Sequence, residues 1–137
     1  MNYMLDANVL RHIVHEQAGY LNIFERMAEV GMGSLSISAV AAAELHVHIN
    51  SKTSQRIHRQ QLASYLGHLK IEPFNKKAAE ASGILQASRQ SKGSQLPSPD
   101  YMIAGHALAL SRVIVTDNTK HFDGIIGLKV QNWLRPK

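Results

Sequence analysis

Apolar positions in this chain change period several times, and the changes mark out alternating strands and helices. Tyr3-Met4-Leu5 is a short apolar run that ends on Asp6, as a buried strand over Tyr3–Leu5 would. Residues 7–15 then place Val9, Leu10, Ile13 and Val14 on one helical face. The helical spacing resumes over Tyr20–Val30 with Leu21, Ile23, Phe24, Met27 and Val30, and stops at Gly31-Met32-Gly33. Residues 34–37 alternate polar and apolar as a short strand does, and Ser38 is placed to cap a helix over Ala39–Ile49. Residues 52–69 form a second amphipathic helix, so the two make a helical hairpin bent at Asn50-Ser51.

Further along, residues 70–74 are a brief strand in which Pro73 demands an edge position or a strand end. Asn75 caps a helix over Lys76–Ser91, and residues 91–95 are a polar loop. Ser98 as N-cap and Pro99 at the first helical position open a helix over residues 100–110, apolar nearly all round and therefore buried. Residues 112–116 (RVIVT) are the clearest strand, apolar on both faces as inside a parallel sheet. A last strand over residues 128–131 and the pair Trp133-Leu134 complete the pattern. Alternation of this kind implies an α/β fold around one mostly parallel sheet, in a single domain over residues 1–137.

Composition narrows the classes of function. The absence of cysteine excludes disulfides, cysteine–zinc sites and thiol nucleophiles. No apolar run reaches membrane-spanning length, so a cytoplasmic protein without a membrane partner is expected. A net charge of +5 favours a polyanionic partner, because Lys and Arg neutralise phosphates.

Against that basic background, the placement of four acids matters. Asp6 and Asp117 both end strands, and two neighbouring parallel strands would bring them together. Glu44 stands among small and apolar residues, and Asp100 opens the most buried helix. Singly, each has a structural explanation as a helix cap, a first-turn acid or an exposed side chain. Gathered at one sheet edge they would repel and lose hydration, unless their pKa values rise or a cation is present. Oxygen donors without cysteine suit Mg²⁺ or Mn²⁺, hard ions that bridge phosphates and activate water. A basic protein with an acidic pocket points to phosphodiester hydrolysis, without separating nuclease from phosphatase or RNA from DNA.

YMLDANVL, ISAVAAAEL, PDYMIAGHALAL and VIVTDNTKHFDGIIGLKVQNW together resemble a PIN-domain ribonuclease, and more narrowly the VapC-type toxins of bacterial toxin–antitoxin pairs. The resemblance spans the whole chain. It implies a three-layer α/β/α sandwich and an endoribonuclease that uses Mg²⁺ or Mn²⁺ to cut RNA such as tRNA. It also implies an antitoxin protein that blocks the site. By motif, the acids of the family pattern fall on Asp6, Glu44, Asp100 and Asp117. Asp6 and Asp100 are the expected principal ligands, with Glu44 and Asp117 as helpers or holders of a second ion. Asn8 and Thr116 would orient these carboxylates by hydrogen bonds. Two departures are Ala7, where relatives commonly have threonine, and LHVHIN after Glu44, which lacks a frequent glycine.

Other residues fill in the expectation. Arg56, Arg59, Lys92 and Lys120 are candidates for RNA backbone contacts, and His121 lies near enough to touch substrate. His46 and His48 are two apart, on different helix faces, and His58, His68 and His106 lack partners at ligand spacing, so all five are expected as surface or core residues. Leu21, Phe24 and Met27 are core or dimer residues, and a homodimer is expected. The alternatives are a non-catalytic RNA- or partner-binding module with structural acids, or a phosphatase using Asp6 as nucleophile. The phosphatase needs a second acid two residues on, where this chain has Asn8.

Overall fold

Strand β1 (Tyr3–Leu5) lies in the middle of a five-stranded sheet, flanked by β2 (Leu35–Ser38) and β4 (Val113–Val115). The edges are β3 (Lys70–Glu72) beside β2, and β5 (Val130–Gln131) beside β4. Every pairing in this computed structural model, which describes residues 1–93 and 96–136, is parallel. Met4 therefore stands level with Ser36 on one side and Ile114 on the other. Parallel strands need covered faces. The cover comes from α1 (Ala7–Val14), α2 (Tyr20–Val30), α3 (Ala39–Ile49), α4 (Arg56–His68), α5 (Lys76–Ser91), α6 (Ser98–Leu110) and a single turn, α7 (Thr119–Phe122). The result is the expected α/β/α sandwich. Most of the buried apolar residues form one cluster from Met4 to Trp133. No helix among the described residues is long and apolar enough to cross a membrane.

Most expected elements are present, with shifted ends. Residues 34–37 do not alternate in burial: the strand is Leu35–Ser38, and Ser36 and Ser38 are fully enclosed. Both hydroxyls find partners, Ser36 donating to the Tyr3 carbonyl at 2.8 Å and Ser38 accepting from the Val40 amide at 3.1 Å. The helix expected over 52–69 begins only at Arg56, because Ser51 and Thr53 bond to one another in a turn at 2.8 Å. α6 begins at Ser98, so Pro97 holds the N-cap position instead of Ser98. The strands expected over 70–74, 112–116 and 128–131 are shorter, at Lys70–Glu72, Val113–Val115 and Val130–Gln131. Helix α7 falls where only a polar stretch was expected. Of the polar loop over 91–95, Ser94 and Gln95 lie outside the described residues, as does Lys137.

Two packing details fix the helix that carries Asp100. Gly105 of α6 lies against α5 so closely that a Cβ there would sit 2.5 Å from both the backbone nitrogen and the Cα of Ser82. Ser82 Oγ donates to the Ala78 and Met102 carbonyls at 2.7 and 3.1 Å, crossing the same contact. On another side, His106 Nδ1 bonds Ser38 Oγ at 2.9 Å, and its ring meets Phe74 edge-on. His106 is thus the core residue expected. Met27 belongs to the core, whereas Leu21 and Phe24 stand exposed.

Candidate active site

Asp6 follows directly after β1, and its own amide donates to the Val115 carbonyl of β4 at 2.9 Å. One carboxylate oxygen, Oδ1, accepts from the Ala7 amide at 2.8 Å and caps α1. The other, Oδ2, accepts from the Thr116 hydroxyl at 2.9 Å. Asn8 acts one step away: its amide donates to Thr116 Oγ1 at 3.5 Å, and among the described residues it bonds no carboxylate directly. The cap and the candidate site are the same side chain.

The other acids arrive from three further elements. Asp117 leaves the end of β4, and its Oδ2 pairs with His12 Nε2 of α1 at 2.5 Å. Asp100 sits in the first turn of α6, where its Oδ2 pairs with His121 Nδ1 of α7 at 2.6 Å. Glu44 lies on α3, the helix that Ser38 starts at the end of β2. All four therefore gather at the carboxyl end of the central strands, where ligands of open α/β sheets bind.

Electrostatics link them. Burial raises the pKa of Asp6, opposed by the bonds from Thr116 and Ala7, and the charges of Asp100 and Asp117 raise it further. Burial likewise raises Glu44, followed by the charges of Asp6 and Asp100, while Arg11 of α1 pulls it down. Asp6 and Glu44 thus both feel the charge of Asp100. Glu44 Oε1, Asp117 Oδ1 and Asn8 Oδ1 are buried acceptor atoms with no donor among the described residues. Unpaired acceptors beside crowded carboxylates call for positive charge. The donor chemistry fits a hard divalent cation. As the side chains stand, no three acids or histidines among the described residues are spaced to enclose an ion.

The remaining candidates are scattered. Lys120 is exposed on α7 beside His121, and His121 itself is engaged with Asp100 rather than free. Arg56 and Arg59 line a cleft on the α3–α4 hairpin, and Lys92 lines an apolar groove between α5 and residues 124–126. Sequence reasoning passed over His12 and Arg11. His12 follows Asn8 by four residues, so helical spacing puts both on one face of α1. Among the described residues His15 and His58 meet with ring centroids 4.3 Å apart, yet no histidine joins a metal-binding group.

A family model described as PIN domain matches residues 3–125. Ribonuclease VapC2 of Rickettsia felis is 30% identical over 134 residues, covering 97% of this chain and 98% of the relative. A protein named tRNA(fMet)-specific endonuclease VapC, from Shigella flexneri, is 25% identical over 97% of this chain and 98% of its own length. Among solved structures, VapBC2 from Rickettsia felis bound to a DNA fragment from their promoter matches with a TM-score of 0.83 at 29% identity. That match covers 97% of this chain and 99% of the other.

Proposed function

This chain belongs to the PIN-domain family, and from that premise we propose that it is an endoribonuclease serving as the toxin of a toxin–antitoxin pair. The observation that carries the reading is the convergence of Asp6, Glu44, Asp100 and Asp117 at one partly buried sheet end, with acceptor atoms left unpaired. Names of the relatives support RNA, and tRNA in particular, as the substrate class, and the VapBC2 complex supports an antitoxin as partner.

In this reading Asp6 and Asp100 are the principal ligands of Mg²⁺ or Mn²⁺, with Glu44 and Asp117 beside them. Such an ion supplies an activated water and neutralises charge on the scissile phosphate. The chain's own residues do the positioning. Thr116 and the Ala7 amide lock the Asp6 carboxylate onto the sheet. Arg11 offsets part of the negative charge at Glu44. Lys120, exposed one residue before His121, is set to meet the phosphate backbone of the RNA.

The test is cleavage of purified tRNA by the full chain with Mg²⁺ or Mn²⁺, beside Asp6→Asn and Asp100→Asn. Both variants should lose cleavage by at least 100-fold, and EDTA should abolish it while sparing RNA binding. Wild-type cleavage rates in the two variants would remove the acids from the mechanism. Full activity in chelator would remove the metal. An intact chain that binds tRNA without cutting it would favour the non-catalytic module.

A further inference from the structure

Asp6 is held by its own strand–helix junction, but Asp100 and Asp117 are held by histidines. His12 is bonded through Nε2 to Oδ2 of Asp117, and its side chain is 17% exposed. His121 is bonded through Nδ1 to Oδ2 of Asp100, whose side chain is 19% exposed. Each histidine takes one oxygen of one carboxylate and leaves the other. In Asp117 the remaining oxygen, Oδ1, is buried without a donor among the described residues. A carboxylate on a free χ2 torsion spreads its oxygens over a broad range of orientations. A ring nitrogen fixed on one oxygen removes that freedom.

We propose that His12 and His121 are positioning residues, which hold one oxygen of Asp117 and of Asp100 and so direct the other toward the space shared with Asp6 and Glu44. The inference rests on the cation reading above and adds two residues to it. Each ring comes from an element that carries none of the four acids, α1 for His12 and α7 for His121. Groups that orient a metal ligand in this way commonly change affinity 10–100-fold when removed.

The ring nitrogen used differs between the two pairs, and this gives a sharp test. The amide nitrogen of glutamine reaches about as far as Nε2, and that of asparagine about as far as Nδ1. His12→Gln and His121→Asn should therefore keep the bond, whereas His12→Asn and His121→Gln misplace the donor by one methylene. Mn²⁺ binding to the full-length protein is measured by calorimetric titration at one pH, with thermal melting of each metal-free variant alongside. His12→Ala and His121→Ala should weaken Mn²⁺ about 10–100-fold. The matched amides should recover most of the loss and the mismatched amides little. Alanine variants that bind within twofold of the parent would overturn the proposal, as would matched and mismatched amides that bind alike. If an alanine variant fails to fold, the amide comparison decides. If the parent chain binds no Mn²⁺, the cation reading falls and this inference with it. A parent that binds, with histidine variants that bind equally, sinks the inference alone.

Discussion

Thr116 Oγ1 donates to Asp6 Oδ2 across 2.9 Å, joining the end of β4 to the end of β1 although the residues are 110 positions apart in the chain. The same hydroxyl accepts from the Asn118 amide at 3.1 Å, so it is fixed at both ends. Thr116→Val keeps the shape and removes the bond. Burial then acts on Asp6 with less opposition, so its pKa rises above the wild-type value. RNA cleavage should fall roughly 10–100-fold, and its acid limb should shift to higher pH. A pH–rate profile superimposable on the parent's would refute the role given to this hydroxyl.

The acids of the proposed site should make the metal-free protein less stable. In the folded state Asp6 and Glu44 have pKa values above their ordinary ones. Between the two values the folded protein holds more protons than the unfolded chain, so stability falls as pH rises through that window. Asp6→Asn removes one such charge and retains an N-cap side chain. At neutral pH without divalent ions it should be more stable by roughly 0.5–2 kcal/mol. Melting curves across the acid range would show the gap between variant and parent widening as pH rises. A variant less stable than its parent at every pH contradicts this account.

Glu72 has the opposite sign. Burial pushes its pKa up, but Lys70 at 3.1 Å and Arg112 at 3.0 Å outweigh burial, and the folded value lies below the ordinary one. Its contribution is fully present above the ordinary carboxylate range and is lost as pH falls through the folded value. Glu72→Gln leaves the nearly enclosed Arg112 without a counter-charge, which should cost about 3 kcal/mol. Denaturant melts at neutral and acid pH test both parts: the loss should shrink in acid, where the parent's Glu72 is protonated too.

Gly105→Ala forces a methyl group against the Ser82 backbone rather than a flexible side chain. Helices α5 and α6 must part, at a cost of about 1–3 kcal/mol. Because Asp100 rides on α6, cleavage should fall as well, beyond what the melting temperature explains. Unchanged stability would mean that the two helices are free to slide.

Hydrophobic period alone marks the layers of this fold, because strands buried on both faces and helices apolar on one face leave different signatures. Asp6 and Asp117 are legible for a related reason: each ends an apolar strand, and β1 and β4 pair. What escapes the sequence is pairing at a distance. His12 carries a helical position that points at the site, but its partner Asp117 lies at the other end of the chain. His121 sits on a helix of one turn, too short to impose a period. Ser36 looks like the wet face of a strand, yet a tertiary hydrogen bond to the Tyr3 carbonyl draws it inside, whereas Ser38 caps α3 as its place in the sequence suggests.

The central place of β1 in the sheet also bears on when the protein can act during its own synthesis. Residues 3–5 leave the ribosome long before residues 113–115, and until the later residues emerge one flank of β1 has no strand to pair with. Only then do Thr116 and Asp117 come to rest beside Asp6. A growing chain therefore cannot bring the acids of the proposed site together while β4 is still unmade, however early Asp6 has emerged.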